Sequence, residues 1–343
     1  MYSIEVKTSK NYIVTVSEDF ASLRDVVDGV KKGNNIAIIT DTNVERLYVD
    51  TLRDILSGYN IYVHTIPAGE SSKNFANYVS LVEAIAKDGL DRSDMLITIG
   101  GGVVGDIGAF VASTYLRGIR LVAVPTSLLA MIDSSIGGKT AIDLSVGKNL
   151  CGTFYQPNAV YINVACLDTL PKRELMSGYG ELIKYAILDS RISIEDMKVL
   201  DASLVAKAVS IKRDIVELDE YESGPRKLLN LGHTIGHAVE SLSGYTLSHG
   251  ESVVKGLKAV LDIAKLHYDM TDDAYAEILS LITLMGHDTS IEYSIEDILE
   301  VVSHDKKKYA STIDMVLPRG IAEVEIVALS LSEFRRYMSE YRC

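Results

Sequence analysis

The sequence Met-Leu-Ile-Thr-Ile-Gly-Gly-Gly-Val-Val-Gly-Asp, residues 95–106, decides the fold. A short apolar run leads into Gly100, Gly102 and Gly105, which have the spacing G-x-G-x-x-G where a strand would pass into a helix. Glycines lack a Cβ, so backbone amides can approach a pyrophosphate there, and a helix start favours its negative charge. Glycines also suit a plain tight turn, but the flanking strand and helix favour a dinucleotide-binding turn.

Strands and helices alternate around this turn through the first half of the chain. Strand-sized apolar runs occupy 36–40, 61–66, 95–99 and 121–124, and apolar residues have helical spacing at 75–87 and 106–116. Strands separated by helices predict a parallel sheet with helices packed on its faces. The first part of the chain is therefore predicted to be a Rossmann-like α/β domain.

The second half has a different pattern. Amphipathic helices are predicted at 173–188, 204–218, 227–242, 249–268, 275–285 and 295–307. Only two β-branched runs near the end, 312–317 and 324–327, depart from it. We expect an α/β domain at 1–170 and a mainly α-helical domain at 171–343, with the active site in the cleft between them, where cofactors and substrates commonly bind.

The composition excludes several classes of function. Lys and Arg number 34 and Asp and Glu number 47, so the formal net charge is −13. This charge argues against a protein that coats nucleic acid or a membrane surface, whereas a small anionic substrate needs only a local group of basic residues. The cysteines, Cys151, Cys166 and Cys343, are too few for a disulfide framework or a thiolate metal site. With no targeting or spanning segment visible, we expect a cytoplasmic protein.

The glycine turn lacks the usual partner for a ribose. It follows a third strand, and the next strand ends at Pro125-Thr126 without the acidic residue expected about 20 residues on. Asp41 and the segment Glu70-Ser71-Ser72-Lys73 are the candidates to replace it. A second run, Gly137-Gly138-Lys139-Thr140, is a poor triphosphate loop because Asp133 stands where that motif needs glycine, but Lys139 suits a phosphate or carboxylate.

Histidines suggest a metal site in the helical half. His233 and His237 are four residues apart, on one face of a helix, and His249 follows in Ser-His-Gly-Glu. A catalytic zinc takes three nitrogen or oxygen ligands, so two histidines with a carboxylate such as Glu181 would suffice. Spacing alone leaves this open, because an isolated histidine pair is commonly surface or core, and Glu181 with Lys184 would also make a plain ion pair.

Taken together, the motifs resemble one family. They are Gly-Gly-Gly-Val-Val-Gly-Asp (100–106), Pro-Thr-Ser-Leu-Leu-Ala-Met-Ile-Asp-Ser-Ser-Ile-Gly-Gly-Lys-Thr (125–140), Gly-Lys-Asn (147–149), Phe-Tyr-Gln-Pro (154–157), Thr-Leu-Pro (169–171), Glu-Leu-Ile-Lys-Tyr (181–185) and Leu-Leu-Asn-Leu-Gly-His-Thr-Ile-Gly-His-Ala-Val-Glu (228–240). In this order, over nearly the whole chain, they resemble the 3-dehydroquinate synthases. The resemblance implies conversion of 3-deoxy-D-arabino-heptulosonate 7-phosphate to 3-dehydroquinate and phosphate, with catalytic NAD⁺ and a divalent metal, usually zinc, with cobalt an alternative.

The resemblance also implies roles for individual residues. The metal ligands would be Glu181, His233 and His249. The NAD⁺ contacts would be Asp41, Gly69, Glu70, Ser71, Ser72, Lys73, Gly102, Val103, Val104, Gly105, Asp106, Thr126, Ser127, Lys139, Lys148, Cys166, Leu167, Asp168 and Thr169. The pocket for a substrate with a carboxylate and a phosphate would comprise Asp133, Lys139, Asn149, Lys184, Lys212, Arg226, Asn230, His237 and Lys306. His237 would shuttle a proton at C5, and Arg117 would reach a partner subunit's site, which implies a homodimer.

Departures from the family pattern are small. Gly180 stands where alanine is usual, Ala141 where glycine is common, and Asp143 where asparagine is frequent. The rival interpretations are another sugar-phosphate cyclase, a metal-dependent polyol dehydrogenase with net NAD⁺ turnover, and a non-catalytic binding module. Asn230, Lys306 and Arg226 favour the carboxylate-bearing heptulosonate over the other cyclase substrates.

Overall fold

A computed structural model describes residues 1–306 and 312–341, without the side chains of 304–306. The chain divides into two compact units, one of Met1–Leu170 with Asp201–Glu220 and one of Pro171–Leu200 with Tyr221–Cys343. The first unit ends its main segment at residue 170, as the predicted domain boundary does, but it also includes 201–220. Within the described ranges, no helix combines the length and apolar character needed to cross a membrane.

The strands of the first unit form a seven-stranded sheet and a separate hairpin. They are β1 (Tyr2–Val6), β2 (Tyr12–Ser17), β3 (Asn35–Asp41), β4 (Asn60–Ile66), β5 (Met95–Gly100), β6 (Arg120–Pro125), β7 (Lys139–Leu144), β8 (Gly147–Phe154) and β9 (Ala159–Asn163). The sheet order is β1-β2-β9-β6-β5-β3-β4, and every neighbouring pair is parallel except β1 with β2. The four predicted strands are β3 to β6 of this sheet, so the predicted parallel sheet is confirmed.

The helices follow in chain order. They are α1 (Leu23–Val30), α2 (Thr42–Val44), α3 (Asp50–Ile55), α4 (Phe75–Lys87), α5 (Gly102–Thr114), α6 (Lys172–Leu188), α7 (Ala202–Leu218), α8 (His233–Leu242), α9 (His249–His267), α10 (Asp272–Thr283), α11 (Ile295–Lys306) and α12 (Leu331–Tyr341). In the second unit, β10 (Thr312–Gly320) and β11 (Glu323–Ser330) form an antiparallel hairpin. The structure thus has the predicted α/β and mainly helical parts.

Packing of apolar faces explains why the first unit is compact. Strand β5 is buried along its whole length because helices cover both faces of a parallel sheet. Helix α5 buries Val104, Ile107 and Val111 in the same core as Leu96 and Leu121 of the sheet. This packing holds the start of α5, and with it the glycine turn, at the end of β5.

Two predicted helices begin elsewhere. The helix predicted at 106–116 starts earlier, at Gly102, so the glycines form its first turn. The prediction of a helix at 227–242 is wrong for its first residues, because 225–230 form a 3-10 turn and α8 starts only at His233. Gly232 is the reason: its φ is 77°, a left-handed conformation that ends one helical turn and starts the next.

Candidate active site

The carboxyl ends of the parallel strands gather most of the predicted NAD⁺ contacts. Asp41 ends β3, Gly69–Lys73 follow β4, Gly102–Asp106 follow β5, Thr126 and Ser127 follow β6, and Cys166–Thr169 follow β9. Carboxyl ends of parallel strands lie at the same edge of a sheet, which is where open α/β sheets bind ligands. Five separate segments of sequence therefore meet at one edge.

The glycine turn leaves room for a ligand at this edge. A Cβ on Gly100 would collide with Val104, so the turn itself requires glycine there. A Cβ on Gly105 would meet nothing within 4 Å, and the same is true of Gly69, whose φ is 108°. Open space beside backbone amides at a helix start fits a pyrophosphate. Lys139 lines a small cavity together with Gly101 and Gly105.

The other predicted contacts at this edge differ in exposure. Asp41 accepts hydrogen bonds from the amides of Asn43 and Val44 with one carboxylate oxygen, and so caps α2. Val104, Ser72, Cys166 and Leu167 are buried, whereas the side chains of Ser71, Asp168 and Thr169 are exposed. Burial raises the pKa of Cys166 to about 11. The buried members of the set can offer a ligand little more than their backbone.

Lys73 holds a charge network beside the glycine turn. Its Nζ lies 2.5 Å from Asp106 Oδ2 and also donates to Asn149 Oδ1. Burial alone would lower the pKa of Lys73, but the carboxylates of Asp106 and Glu70 outweigh it and raise the pKa. Asn149 has a left-handed backbone, with φ 58°, and its amide donates to Asp143 Oδ1 at 2.8 Å. Asp143 thus fixes the turn that carries Asn149.

Helix α7 brings another predicted substrate residue to the first unit. Lys212 is buried, and its Nζ lies 2.6 Å from Asp133 Oδ1 and also donates to the backbone oxygen of Asp133. These two predicted pocket residues therefore contact each other. The contact also explains why α7 belongs with the α/β unit, against the predicted assignment of all residues after 170 to the helical part.

In the helical unit, three histidines and a glutamate converge. The Nε2 atoms of His233 and His249 lie 3.2 Å and 3.0 Å from the same oxygen, Glu181 Oε1. One ring nitrogen from each of His233, His237 and His249 lies within 4.8 Å of the others. Glu181 is fully buried, whereas His249 is half-buried and His237 is exposed, so the carboxylate and the imidazole nitrogens meet at a site that is open on the His237 side. Nitrogen and oxygen donors in this arrangement are suited to zinc.

Neighbouring charges set the protonation of this cluster. Burial alone would raise the pKa of Glu181, but Lys184 and His233 hold it well below its ordinary value. Lys184 is itself buried and pairs with the other oxygen of Glu181. Desolvation by the surrounding protein atoms, reinforced by the charges of the other two histidines, lowers the pKa of His237 to about 3. Burial would also lower the pKa of His249, but the carboxylates of Glu181 and Glu240 raise it to about 10.

Glycines allow the helices that carry this cluster to approach closely. A Cβ on Gly180, next to Glu181, would come within 3.0 Å of three backbone atoms of Gly250, next to His249. A Cβ on Gly250 would in turn collide with the backbone of Ser177. Helices α6 and α9 therefore touch backbone to backbone at the ligand residues. The contact explains the departure at Gly180, since alanine would not fit here.

The remaining predicted residues lie in several places. Arg226 is buried in the 3-10 turn 225–230, and Asn230 at the end of that turn donates to Glu222 at 3.1 Å. Lys148 lies in β8. Arg117 is exposed, and both it and Leu116 have left-handed backbones, with φ of 64° and 52°. Lys306 ends α11, but its side chain lies outside the described residues.

Sequence reasoning missed two acidic residues of the helical unit. Glu240 Oε2 lies 3.4 Å from His249 Nδ1, and Glu222 contacts Asn230. The signal for Glu240 was present, because positions 233, 237 and 240 share one helix face. No comparable signal marks Glu222, which comes near Asn230 only through the turn between them.

Solved structures share the fold of this chain. A 2-deoxy-scyllo-inosose synthase complexed with carbaglucose-6-phosphate, NAD⁺ and Co²⁺ has a TM-score of 0.88 and 21% identity, over 99% of both chains. The 2-epi-5-epi-valiolone synthase of Streptomyces hygroscopicus subsp. jinggangensis, with NAD⁺ and Zn²⁺ bound, has a TM-score of 0.86 and 24% identity, also over 99% of both chains. The chain therefore has the same fold as these two cyclases.

Sequence similarity identifies the family of the chain. Residues 63–177 match the N-terminal and residues 178–308 the C-terminal 3-dehydroquinate synthase family. A 3-dehydroquinate synthase of Latilactobacillus sakei subsp. sakei is 42% identical over 340 residues, which cover 95% of each chain. The chain belongs to the 3-dehydroquinate synthase family, and the resemblance seen in its motifs is confirmed.

Proposed function

We propose that the chain is a 3-dehydroquinate synthase, a carbon–oxygen lyase that converts 3-deoxy-D-arabino-heptulosonate 7-phosphate to 3-dehydroquinate and phosphate in the shikimate pathway. The observation that carries the proposal is the convergence of His233 Nε2 and His249 Nε2 on Glu181 Oε1, at 3.2 and 3.0 Å. The overall reaction comprises a transient oxidation at C5, elimination of phosphate, reduction, ring opening and an intramolecular aldol closure.

Glu181, His233 and His249 would hold a divalent metal, Zn²⁺ or Co²⁺. Two imidazole nitrogens and one carboxylate oxygen are the donor set of a catalytic zinc that keeps a position open for substrate. Such a metal supplies Lewis-acid polarisation of a substrate oxygen. Lys184 pairs with the second oxygen of Glu181, which keeps that carboxylate ionised and turned so that Oε1 faces the histidines.

The carboxyl edge of the sheet would bind NAD⁺. The open space at Gly105 and Gly69 gives a pyrophosphate access to backbone amides. Bound NAD⁺ supplies a hydride acceptor that returns the hydride later in the same turnover. The exposed side chains of Ser71, Asp168 and Thr169 and the carboxylate of Asp41 are polar groups available to the rest of the dinucleotide.

Cations of the chain would bind the doubly anionic substrate. Arg226 offers a planar guanidinium with the geometry to bind a carboxylate through two hydrogen bonds. Lys212 is held in one orientation by Asp133, and Lys184 by Glu181. Fixed cations orient a flexible substrate through several steps. The other residues proposed for this pocket are Lys139, Asn149, Asn230 and Lys306.

His237 would accept and return a proton at the C5 hydroxyl of the substrate. Its pKa of about 3 means that the imidazole is neutral near pH 7, so a ring nitrogen is free of a second proton. It lies on α8 one turn after His233, with ring centroids 5.2 Å apart. A neutral base beside the ligand residues can take the hydroxyl proton without moving across the site.

Two further assignments concern the assembly and the compartment. We propose a homodimer in which Arg117 reaches the site of a partner subunit. Left-handed backbones at two consecutive non-glycine residues are strained, and here they present Arg117 outward from the end of α5. We also propose that the protein is cytoplasmic and acts on no nucleic acid or membrane, in keeping with its net charge of −13.

The test is release of phosphate from the heptulosonate 7-phosphate with NAD⁺ present at less than the substrate concentration. We expect complete conversion, no accumulation of NADH, and loss of activity on dialysis against a chelator that Zn²⁺ or Co²⁺ restores. Accumulation of NADH in step with product would make the protein a dehydrogenase. Glucose 6-phosphate, which lacks the carboxylate, serves as the counter-substrate, and faster phosphate release from it would indicate a different cyclase.

A further inference from the structure

Glu240 lies behind the histidine cluster, on the same helix as two of its members. It is seven residues after His233 and three after His237, and only 9% of its surface is exposed. Its Oε2 lies 3.4 Å from His249 Nδ1. A carboxylate is costly to bury, so its place beside an imidazole calls for a physical reason.

The ring of His249 spans two carboxylates. Nδ1 faces Glu240, and Nε2 lies 3.0 Å from Glu181 Oε1. An imidazole that binds a metal is neutral and has one N–H. The nitrogen that faces a hydrogen-bond acceptor outside the site keeps that proton. With the proton on Nδ1, the lone pair of Nε2 points at the oxygen shared with His233.

His233 is oriented in a different way. Its Nδ1 lies 3.0 Å from the backbone oxygen of Leu231, and its Nε2 lies 3.2 Å from Glu181 Oε1. Both rings thus present Nε2 to the site, but a neutral carbonyl holds one and a charged carboxylate holds the other. A carboxylate acceptor makes its imidazole the more electron-rich donor, because it stabilises the positive charge that the ring shares with a metal.

We propose that Glu240 is a positioning residue that accepts the Nδ1–H of His249 and thereby fixes and strengthens Nε2 of that ring as a metal ligand. The proposal rests on the metal site of the proposed function. Partners of this kind typically change metal affinity by about 10- to 100-fold. Glu240 acts through His249 and contacts neither substrate nor cofactor in this proposal.

The experiment measures Zn²⁺ affinity of the apoprotein by competition with a chromophoric chelator, for the unchanged chain, Glu240→Gln and Glu240→Ala. Gln has the shape of Glu and can still accept the hydrogen bond, but it lacks the charge, so we expect about a tenfold loss of affinity for Glu240→Gln and up to about a hundredfold for Glu240→Ala. Co²⁺ bound to Glu240→Ala should have altered visible absorption, because one nitrogen ligand loses the acceptor that orients it, and Co²⁺ bound to Glu240→Gln should show a smaller change, because the donor strength of that nitrogen falls. Glu277→Gln, the same substitution at an exposed site on α10, is the matched control and should change neither measurement.

The possible results separate the two proposals. Unchanged Zn²⁺ affinity and Co²⁺ spectrum in both Glu240 variants would overturn the positioning role, even if the melting temperature of the apoprotein fell. Loss of affinity with an unchanged melting temperature of Glu240→Gln apoprotein would support it. If the unchanged chain itself bound no Zn²⁺ or Co²⁺, the metal site of the proposed function would fail first.

Discussion

Gly180→Ala tests whether the backbone contact between α6 and α9 sets the geometry of the histidine cluster. The added Cβ would come within 3.0 Å of Gly250 O, Cα and C, none of which can rotate away. Gly180 is followed by Glu181 and Gly250 is preceded by His249, and Glu181 Oε1 lies 3.0 Å from His249 Nε2. Relief of the collision therefore requires the two helices to separate where their ligand residues meet.

Two opposing contributions determine how much Gly180→Ala changes the free energy of unfolding. Alanine in place of glycine in a helix interior gains about 1 kcal/mol of stability, whereas overpacking of a core costs about 1–3 kcal/mol. Since the colliding atoms are backbone atoms, we take the upper cost, and the free energy of unfolding should fall by about 2 kcal/mol. In a unit of this size that loss lowers the melting temperature by about 4–8 °C.

The assay is thermal unfolding of the apoprotein together with Zn²⁺ affinity by chelator competition. Gly29→Ala is the matched control, because Gly29 also lies in a helix, α1, but a Cβ there would meet nothing within 4 Å. It should raise the free energy of unfolding by about 0.4–1 kcal/mol. If Gly180→Ala were as stable as Gly29→Ala and bound Zn²⁺ as tightly as the unchanged chain, the close helix contact would have no part in setting the site.

Three further predictions concern single residues. His249→Ala should retain its fold by circular dichroism but lose its metal on dialysis, and full metal occupancy in the variant would contradict the ligand assignment. Arg226→Lys keeps the charge but loses the fork of donors, so kcat/KM should fall about ten- to a hundred-fold at unchanged NAD⁺ affinity, whereas unaltered substrate kinetics would remove Arg226 from the pocket. Because the pKa of Cys166 is about 11, iodoacetamide should alkylate it slowly in the folded protein at pH 8 and faster as the pH rises toward 11. Mass spectrometry can follow this reaction, with the half-buried Cys151 as the reference. Rapid labelling of Cys166 in the folded protein at pH 8 would contradict its burial.

The α/β unit could be predicted well where pattern and packing agree. Strands β3, β5 and β6 are mostly apolar and buried because both faces of a parallel sheet are covered, and helix α4 has the predicted bounds, 75–87. The hairpin of β7 and β8 was not predicted. Its residues are mostly half-buried or exposed, so no strong apolar alternation marks them.

Contacts between residues far apart in the sequence explain the features that the sequence pattern did not predict. Gly232 interrupts a helical pattern that runs from 227 to 242, and its partner is Gly256, 24 residues later: a Cβ on Gly256 would collide with the backbone of Gly232. Periodicity cannot reveal such a pair. The same holds for the site, where spacing gave His233 and His237 but could not show that His249 and Glu181 meet them, nor that Glu240 lies behind His249.

The chain passes between its two compact units three times, after residues 170, 200 and 220. During synthesis, all strands of the seven-stranded sheet are available once β9 has been made. Helix α7, which carries the Lys212 that pairs with Asp133, is made only after residues 171–200 of the other unit. Domains generally fold as units in the order of synthesis. Here the first unit cannot reach its final form until residue 220 is available, and a fragment cut at 170 would expose the apolar surface that α7 covers. Segments of the two units are therefore synthesised alternately, and a fragment that ends at residue 170 is not suited to expression on its own.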